Sequence, residues 1–497
     1  MTDSKYRAKP SCFQINRRSN TITLPLAKGT FFNAYLCHPF EMPVDIFKKY
    51  KPHYIKTIAL AWPVCLSNLG YMLVGIVDAK MVGGIKENAA GYSGTQAQAA
   101  VAQANCFYAL LMVLGIGLSY GLTPFIAAAD VSGDVRKKTR GLKNAFLLNF
   151  VSNAVIFIAL FFASPLLYCF KQDEQVVKLA IPFLDVMMFS LVPMSVFYTL
   201  KQFTEGLSLT KMAMIITLGG NLLNIFLNWL LIFGHWGFPQ MGLQGACWAS
   251  FIARVVMTAG MFAYVFYDKR FAVYWAEWKN VKLDGETSRS IFKTGIATGL
   301  QWVFEVGAFS VAVLMMGWIS VEAQAAHQVA IAIAASTYMF VSGISAAASV
   351  RVGNQVGLKN KTGIRRAAFS GFHLALAFMA LTSFTLLLTR HYLATSFSEN
   401  EKVIPIAASL LLIAAFFQVV DGLQAVALGV LRGVNDTTIP TAMTLVAYWV
   451  IALPVSYFLS EKAGYGAEGV WWGLSIGLLA SAIMLITRFN YISKRVV

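Results

Sequence analysis

Charge is what this sequence has least of: 13% of its 497 residues are Asp, Glu, Lys or Arg, and only 23 are acids. With 57% hydrophobic residues and a mean hydropathy of +0.62, the polar surface is too small to wrap a water-soluble core. A soluble globular protein is excluded. Cysteine is scarce too, at six residues with no CxxC and no Cys/His cluster. Cys65, Cys106, Cys169 and Cys247 fall in or beside apolar runs, and Cys12 and Cys37 in the N-terminal segment, so free thiols and no structural metal are expected. The apolar/polar alternation of barrel strands is also missing. Runs such as NAFLLNFVSNAVIFIALFF are apolar all round, as membrane helices are.

Apolar stretches of about 20 residues, each long enough at ~1.5 Å per residue to cross ~30 Å of hydrocarbon, recur along the chain. Twelve spans are expected, at 58–84, 97–122, 144–170, 179–204, 212–234, 243–267, 291–318, 325–350, 366–389, 404–430, 438–460 and 468–489. The connections after even-numbered spans, with the C-terminal tail, carry 18 Lys and Arg, against 6 on the other side. By the positive-inside rule both termini are cytoplasmic. The net charge of +17 therefore reads as contact with anionic lipid headgroups, not with nucleic acid. Residues 1–50 form a polar, basic segment, expected to be poorly ordered, and Met42 is a second candidate start before the first span.

The chain repeats itself. MGLQGACWA at 241–249 returns as YGAEGVWWG at 465–473, TEGLSLTKM at 204–212 as LRGVNDTTI at 431–439, and the GIG at 115–117 as the GIS at 343–345. Several echoes at nearly one shift, in one order, mark duplicated halves. Each half has six spans, an even number, so the copies are parallel repeats related about the membrane normal. The expected fold is an all-α membrane protein of twelve helices in two parallel pseudo-symmetric six-helix lobes. The N-lobe is placed at 51–267 and the C-lobe at 291–497. A cytoplasmic linker at 268–290 carries YWAEWKN along the interface.

An acid inside a span costs roughly 2.5–3.5 kcal/mol even on lenient insertion scales, which makes it a functional candidate. Three stand out: Asp78 in span one, Glu305 in span seven and Asp421 in span ten. The alternative for Asp78 is a carboxylate that snorkels outward or pairs locally; Lys80, two residues on, points to another face. For the other two the alternative is a neutral acid bonded to a neighbouring helix. Measured from the inner ends of their spans, Asp421 lies at ~14 Å and Glu305 at ~18 Å, so the two can share one site. Asn221, Asn224 and Asn228 of span five lie on one face, either gluing helices or lending oxygens to a cation. Asp185, Lys201, Glu205, Arg254 and Arg351 lie nearer span ends and read as interfacial or interlobe salt-bridge residues. His327 and His373 read as packing histidines.

Several stretches resemble the multidrug and toxic compound extrusion (MATE) transporters, of the NorM-like bacterial branch within the MOP flippase superfamily. They are WPVCLSNLGYMLVGIVDAKMVGG, GLQWVFEVGAFSVAVLMMGWI, AQAAHQVAIAIAASTYMFVSGISAAASVRVGNQVG and VVDGLQAVALGVLRGVNDTTIP, within a likeness running from Ile58 to Arg488. The resemblance implies a V-shaped pair of lobes, monomeric and multi-pass in the bacterial cytoplasmic (inner) membrane. Opening alternately to each side, they export amphipathic, often cationic drug-like compounds in exchange for Na⁺ or H⁺. No cofactor is implied beyond the coupling ion. It assigns Asp78 to the span-one acid, Pro63 to the proline that lets that helix bend, and Glu305 with Asp421 to coupling-cation binding. Asn224 and Asn228 become the N-lobe ligands beside Asp78. Some members carry an acid where this chain has Asn228, so this site is one charge poorer.

An acid that is neutral when protonated and charged when empty can hold either a cation or a cationic drug, and competition between them converts an ion gradient into export. Whether the acids are repeat-equivalent depends on register: a shift of 227 lays Asp78 on Glu305, and a shift of 234 lays it on Ala312. Asp421 maps to Met194 and belongs to one lobe only. A lipid-linked glycan flippase of the same superfamily would want basic residues in the cavity, where these spans offer acids. A membrane-embedded enzyme would need a nucleophile, metal or His/Asp constellation, and a channel a re-entrant filter; the sequence has none of these.

Overall fold

The computed structural model describes residues 15–16, 21–22, 44–85, 91–165, 168, 174–397 and 400–495. Met42, Cys12, Cys37 and Cys169 lie outside them, as does the side chain of Cys106. The chain divides into two units, Met1–Pro52 and His53–Val497. In the first, Ile15–Asn16 pairs antiparallel with Thr21–Ile22.

Among the described residues, eleven helices are long and apolar enough to cross a membrane, and a bent pair makes the twelfth span. Span one belongs to the helix Val44–Gly83, which begins 14 residues before the expected start at 58. Span two is Gly94–Tyr120 continued by Leu122–Asp130, and span three is Val135–Ala163. Spans five and six are Lys211–Phe233 and Leu243–Tyr267. Spans seven to ten are Gly285–Ile319, Val321–Gly357, Lys361–Phe397 and Val403–Gly433. Span eleven covers Thr438–Lys462 and span twelve Gly466–Ile492. Their starts follow local chemistry. Ser93 and Gln96 form a reciprocal capping box on span two, and Asp134, Asp284 and Ser320 each accept a backbone N–H at the starts of spans three, seven and eight.

Span four departs from the expected single helix. It is broken into Glu174–Phe189 and Leu191–Gly206, bent by 42° at Ser190. Pro193 has no N–H to offer the Phe189 carbonyl four residues back, so the ladder fails where the axis turns. Proline acts differently in span eleven. There Pro454 cannot bond Val450, and the helix widens into π turns over Val446–Ala452 and Phe458–Lys462.

Spans one to six and seven to twelve form two lobes, and the repeats carry matching geometry. Gly242 and Gly466 both have positive φ, 56° and 52°. A β-carbon on Gly245 would stand 2.7 Å from the Leu231 carbonyl carbon, and one on Gly469 2.6 Å from that of Leu459, so both positions exclude side chains. Ser208 and Asn435, at the second echo, share φ of 63° and 61°.

The lobes meet on the face that carries the basic loops. Span two crosses span seven so closely that a β-carbon on Gly117 would lie 2.3 Å from the Gly299 Cα, and one on Gly121 2.2 Å from the Ile291 carbonyl oxygen. Span one meets span eight in the same way: a β-carbon on Gly343 would lie 2.5 Å from Cys65 Sγ, and that thiol donates to the Phe340 carbonyl at 3.0 Å. These are one contact made twice. Gly117 maps to Gly343 and Leu114 to Phe340 with an offset of 226, two short of the 228 given by matching GIG to GIS, and Cys65 maps to Gly299 with an offset of 234. The seam therefore selects 234 for spans one and seven, which lays Asp78 on Ala312 and Tyr71 on Glu305.

The linker after span six packs on the first lobe. Its turn Lys269–Phe271 and short helix Ala272–Glu277 bury Phe271 and Tyr274, and Lys143 Nζ from span three donates to the carbonyls of Trp278 and Val281 at 3.1 and 2.8 Å. Two of the residues expected at interfaces or between lobes are neither. Lys201 and Glu205 are buried together one turn apart in span four, 3.8 Å from Nζ to Oε1. Arg351 does reach across, donating to the His53 carbonyl at 3.2 Å and meeting its Nδ1 at 3.0 Å, by hydrogen bonds and not a salt bridge.

Candidate functional site

In the first lobe the structure brings Asp78, Asn224 and Asn228 together. Asn228 Nδ2 donates to Asp78 Oδ1 at 2.5 Å. The Asn224 amide has its NH₂ on the same carboxylate oxygen at 2.9 Å, while its own oxygen accepts from the Ser250 hydroxyl at 3.2 Å and backbone N–H at 3.3 Å. Asp78 is thus half-buried and bonded inward, not snorkelling, and Lys80 is exposed and makes no ion pair with it. Each bond to the charged carboxylate is worth about 1.5–3 kcal/mol, enough to hold an ionised acid in place of water. Asn228 Oδ1 and Asn221 Nδ2 are buried without partners, leaving one free acceptor beside the carboxylate.

Arg254 belongs to this neighbourhood, although its position in span six suggested an interfacial role. Nη1 donates to Tyr108 Oη at 2.6 Å and to Ser190 Oγ, and the guanidinium lies 5.4 Å from the Tyr108 ring centre. It stands within electrostatic reach of Asp78.

In the second lobe Glu305 and Asp421 are both buried and within electrostatic reach of each other. The Tyr338 hydroxyl lies near Glu305, and Gln424 Nε2, one turn from Asp421, donates to Tyr448 Oη at 2.8 Å. Tyr448 lies in the first π turn of span eleven. Glu305 Oε2 and Gln424 Oε1 are buried without partners. Two buried carboxylates, with one spare oxygen on Glu305 and one on Gln424 and no ion-paired cation among the described residues, form an oxygen-rich, electron-rich site of the kind a hard cation or a proton satisfies. Among the described residues, none of the ion pairs includes Asp78, Glu305 or Asp421, and no group of three His, Cys, Asp or Glu could hold a metal.

Pro63 is buried inside a helix that runs on through it, with Ser67 Oγ donating to the Pro63 carbonyl at 2.9 Å. The Ala59 carbonyl has lost its helical donor, which leaves a weak point about four turns from Asp78. The two histidines are held by partners: Trp471 Nε1 donates to His327 Nδ1 at 3.1 Å, and Tyr54 Oη meets His373 Nδ1 at 2.9 Å. Sequence reasoning missed Ser250, Tyr338, Gln424 and Tyr448, which carry no charge to mark them. Arg254 did carry a signal, as a cation eleven residues into span six.

The MatE family model matches residues 63–230 and 297–458, once in each lobe. A probable multidrug resistance protein NorM of Mesorhizobium japonicum is 32% identical over 440 residues, covering 87% of this chain and 92% of the relative. The multidrug resistance protein NorM of Vibrio cholerae is 31% identical over 452 residues, covering 90% and 97%. Among solved structures, an outward-facing conformation of a multidrug resistance MATE family transporter of the MOP superfamily superposes with a TM-score of 0.79 at 18% identity, covering 89% of this chain and 96% of that one.

Proposed function

This chain belongs to the MatE family, the multidrug and toxic compound extrusion transporters, and from that premise we propose that it exports amphipathic, often cationic compounds in exchange for Na⁺ or H⁺. It is a multi-pass membrane transporter and not an enzyme. The observation that carries the exchange reading is the second-lobe site: Glu305 and Asp421, both buried and within electrostatic reach of each other, in no ion pair with Lys or Arg among the described residues, with spare oxygens nearby. Such a site needs a cation or a proton in every state in which it is shut away from water.

In the proposed cycle the lobes, at 51–267 and 291–497 with the linker 268–290 between them, rock about the seam where span one meets eight and span two meets seven. With both termini cytoplasmic, the seam lies on the inner side, and the arrangement described above is the one open outward. Entry of the coupling ion at Glu305 and Asp421 releases the drug, and Asp78 with Asn224 and Asn228 forms the first-lobe half of the cycle. The transporter acts as a monomer in the bacterial inner membrane, its basic loops against anionic headgroups.

The test is efflux of a fluorescent organic cation from everted vesicles with the Na⁺ and pH gradients imposed separately. One of the two gradients should drive transport and its collapse should stop it. Transport indifferent to both would sink the exchange reading.

A further inference from the structure

The proposed cycle gives no work to Arg254 of the first lobe. Span six presents Ser250, Arg254 and Thr258 at i, i+4 and i+8, one above another on a single helix face. At one end of that row Ser250 bonds Asn224, which bonds Asp78. At the other end Thr258 Oγ1 donates at 2.8 Å to the carbonyl of Pro193, the residue whose missing N–H breaks span four. Between them Arg254 grips Ser190, the residue at the break itself, and Tyr108 of span two. The row runs from the carboxylate to the hinge.

We infer that Arg254 is a resident counter-cation for Asp78: it moves toward the carboxylate when no ion or drug occupies the site, and in doing so releases the break in span four. The inference rests on the transport reading above. Arg254 has no acid partner among the described ion pairs, and neither does Asp78. Each is held by neutral groups instead, the acid by two amides and the guanidinium by two hydroxyls. Exchanging neutral partners for each other therefore loses and gains bonds on both sides, which keeps the two arrangements close in free energy. Ser250, one turn from Arg254, is already in contact with the acid's own ligand, so the shift required is of the order of one helical turn, ~5.4 Å, within the reach of an arginine side chain. The first-lobe site then carries −1 on Asp78 and +1 on Arg254 and is neutral when empty. An arriving cation competes with Arg254, and its binding returns the guanidinium to Ser190 and Tyr108, tightening the hinge.

The row predicts opposite shifts from its two ends. Tetraphenylphosphonium binding to purified protein in lipid nanodiscs, without Na⁺, is the readout. Arg254→Gln removes the competitor and should tighten binding by about tenfold or more. Arg254→Lys, which keeps the charge, should restore affinity toward wild type. The Tyr108→Phe/Ser190→Ala pair frees the guanidinium for Asp78 and should weaken binding by a similar factor. All three effects should disappear in an Asp78→Asn background. Affinity unchanged in Arg254→Gln, or tightened equally with and without Asp78, overturns the inference; if Arg254→Gln does not fold, a Tyr108→Phe/Ser190→Ala pair that fails to weaken binding does so alone. A wild-type protein that binds no tetraphenylphosphonium overturns the transport reading and this inference with it, whereas normal wild-type binding with additive mutants overturns the inference only.

Discussion

A methyl group at position 295 should push the two lobes apart on the basic-loop face. The ideal β-carbon of Gly295→Ala would lie 2.4 Å from the Leu118 carbonyl oxygen and 2.7 Å from the Leu118 Cα, against an ordinary contact of 3.4–4 Å. Both are backbone atoms and cannot rotate away, so spans two and seven must separate by roughly an ångström. Overpacking of this kind costs about 1–3 kcal/mol. If the opposite arrangement parts these helices, that cost falls on one conformation only, and the population shifts by about 5- to 150-fold. Gly299→Ala meets the Leu114 Cδ1 and carbonyl oxygen at 3.0 Å, one of them a movable side-chain atom, and should shift it less. Gly219→Ala, with nothing within 4 Å, is the control. Nitroxides at Ser132 and Lys359, one in each lobe on the basic-loop face, would report the distance by pulsed electron spin resonance in a cysteine-free background. A longer distance is expected for Gly295→Ala, with a graded response in Gly299→Ala and none in Gly219→Ala. If folded Gly295→Ala kept the wild-type distance distribution, the seam would not be what closes this face.

Asp421→Asn and Glu305→Gln are near-isosteric and cheaper to bury than the carboxylates, so both should fold and reach the membrane yet lose gradient-driven efflux; wild-type rates in either would remove the second-lobe cation site. Asp78→Asn keeps an acceptor for Asn224 and Asn228 but no charge, and should fold, alter drug binding and fail to cycle. Export at the wild-type rate across the pH range would leave the coupling chemistry to Glu305 and Asp421 alone. Pro63→Ala restores a donor to the Ala59 carbonyl, and should stiffen span one and slow turnover in reconstituted vesicles without impeding insertion; unchanged turnover would count against bending there.

Much of this was legible from residue order, because membrane helices announce themselves by length and apolarity and duplicated halves by their echoes. The break in span four was legible too: Pro193 stands at the middle of the 179–204 run, and a proline there removes a bond whatever surrounds it. Lys201 and Glu205, at i and i+4, were spaced to pair in one helix; reading them as interlobe residues gave distance from the span end too much weight. Arg254 was misplaced for the same reason. What sequence could not supply is which neutral groups converge on a charge. Ser250, Tyr338 and Gln424 are ordinary polar residues until helix packing sets Ser250 against Asn224 in the first lobe and Tyr338 and Gln424 near the two acids of the second. The register of span one against span seven also needed the structure, since two alignments of short apolar segments are equally good until a contact such as Cys65 with Gly343 is seen beside Gly299 with Gly117.

That register bears on how one duplicated scaffold could run an exchange. At an offset of 234 Asp78 faces Ala312 and Glu305 faces Tyr71, and at 227 Asp421 faces Met194. Arg254, carried by the 224 offset of the neighbouring echo, falls on buried Leu478. None of the four charged groups has a charged counterpart. The features that do repeat are mechanical: the glycine crossings, the positive-φ turns at Ser208 and Asn435, and the close approaches at Gly245 and Gly469. In the proposed cycle symmetric seams would let the lobes rock as equals, the same close contact being made and lost on each side. Asymmetric charge then decides what each lobe responds to. A lobe holding two unpaired acids stays negative until something positive enters from solution. A lobe whose site holds one acid within electrostatic reach of its own arginine can, on the inference above, satisfy itself when empty. In the proposed cycle the first lobe should therefore tolerate emptiness and the second should not, which places the obligatory step, the one that forbids return without a load, at Glu305 and Asp421.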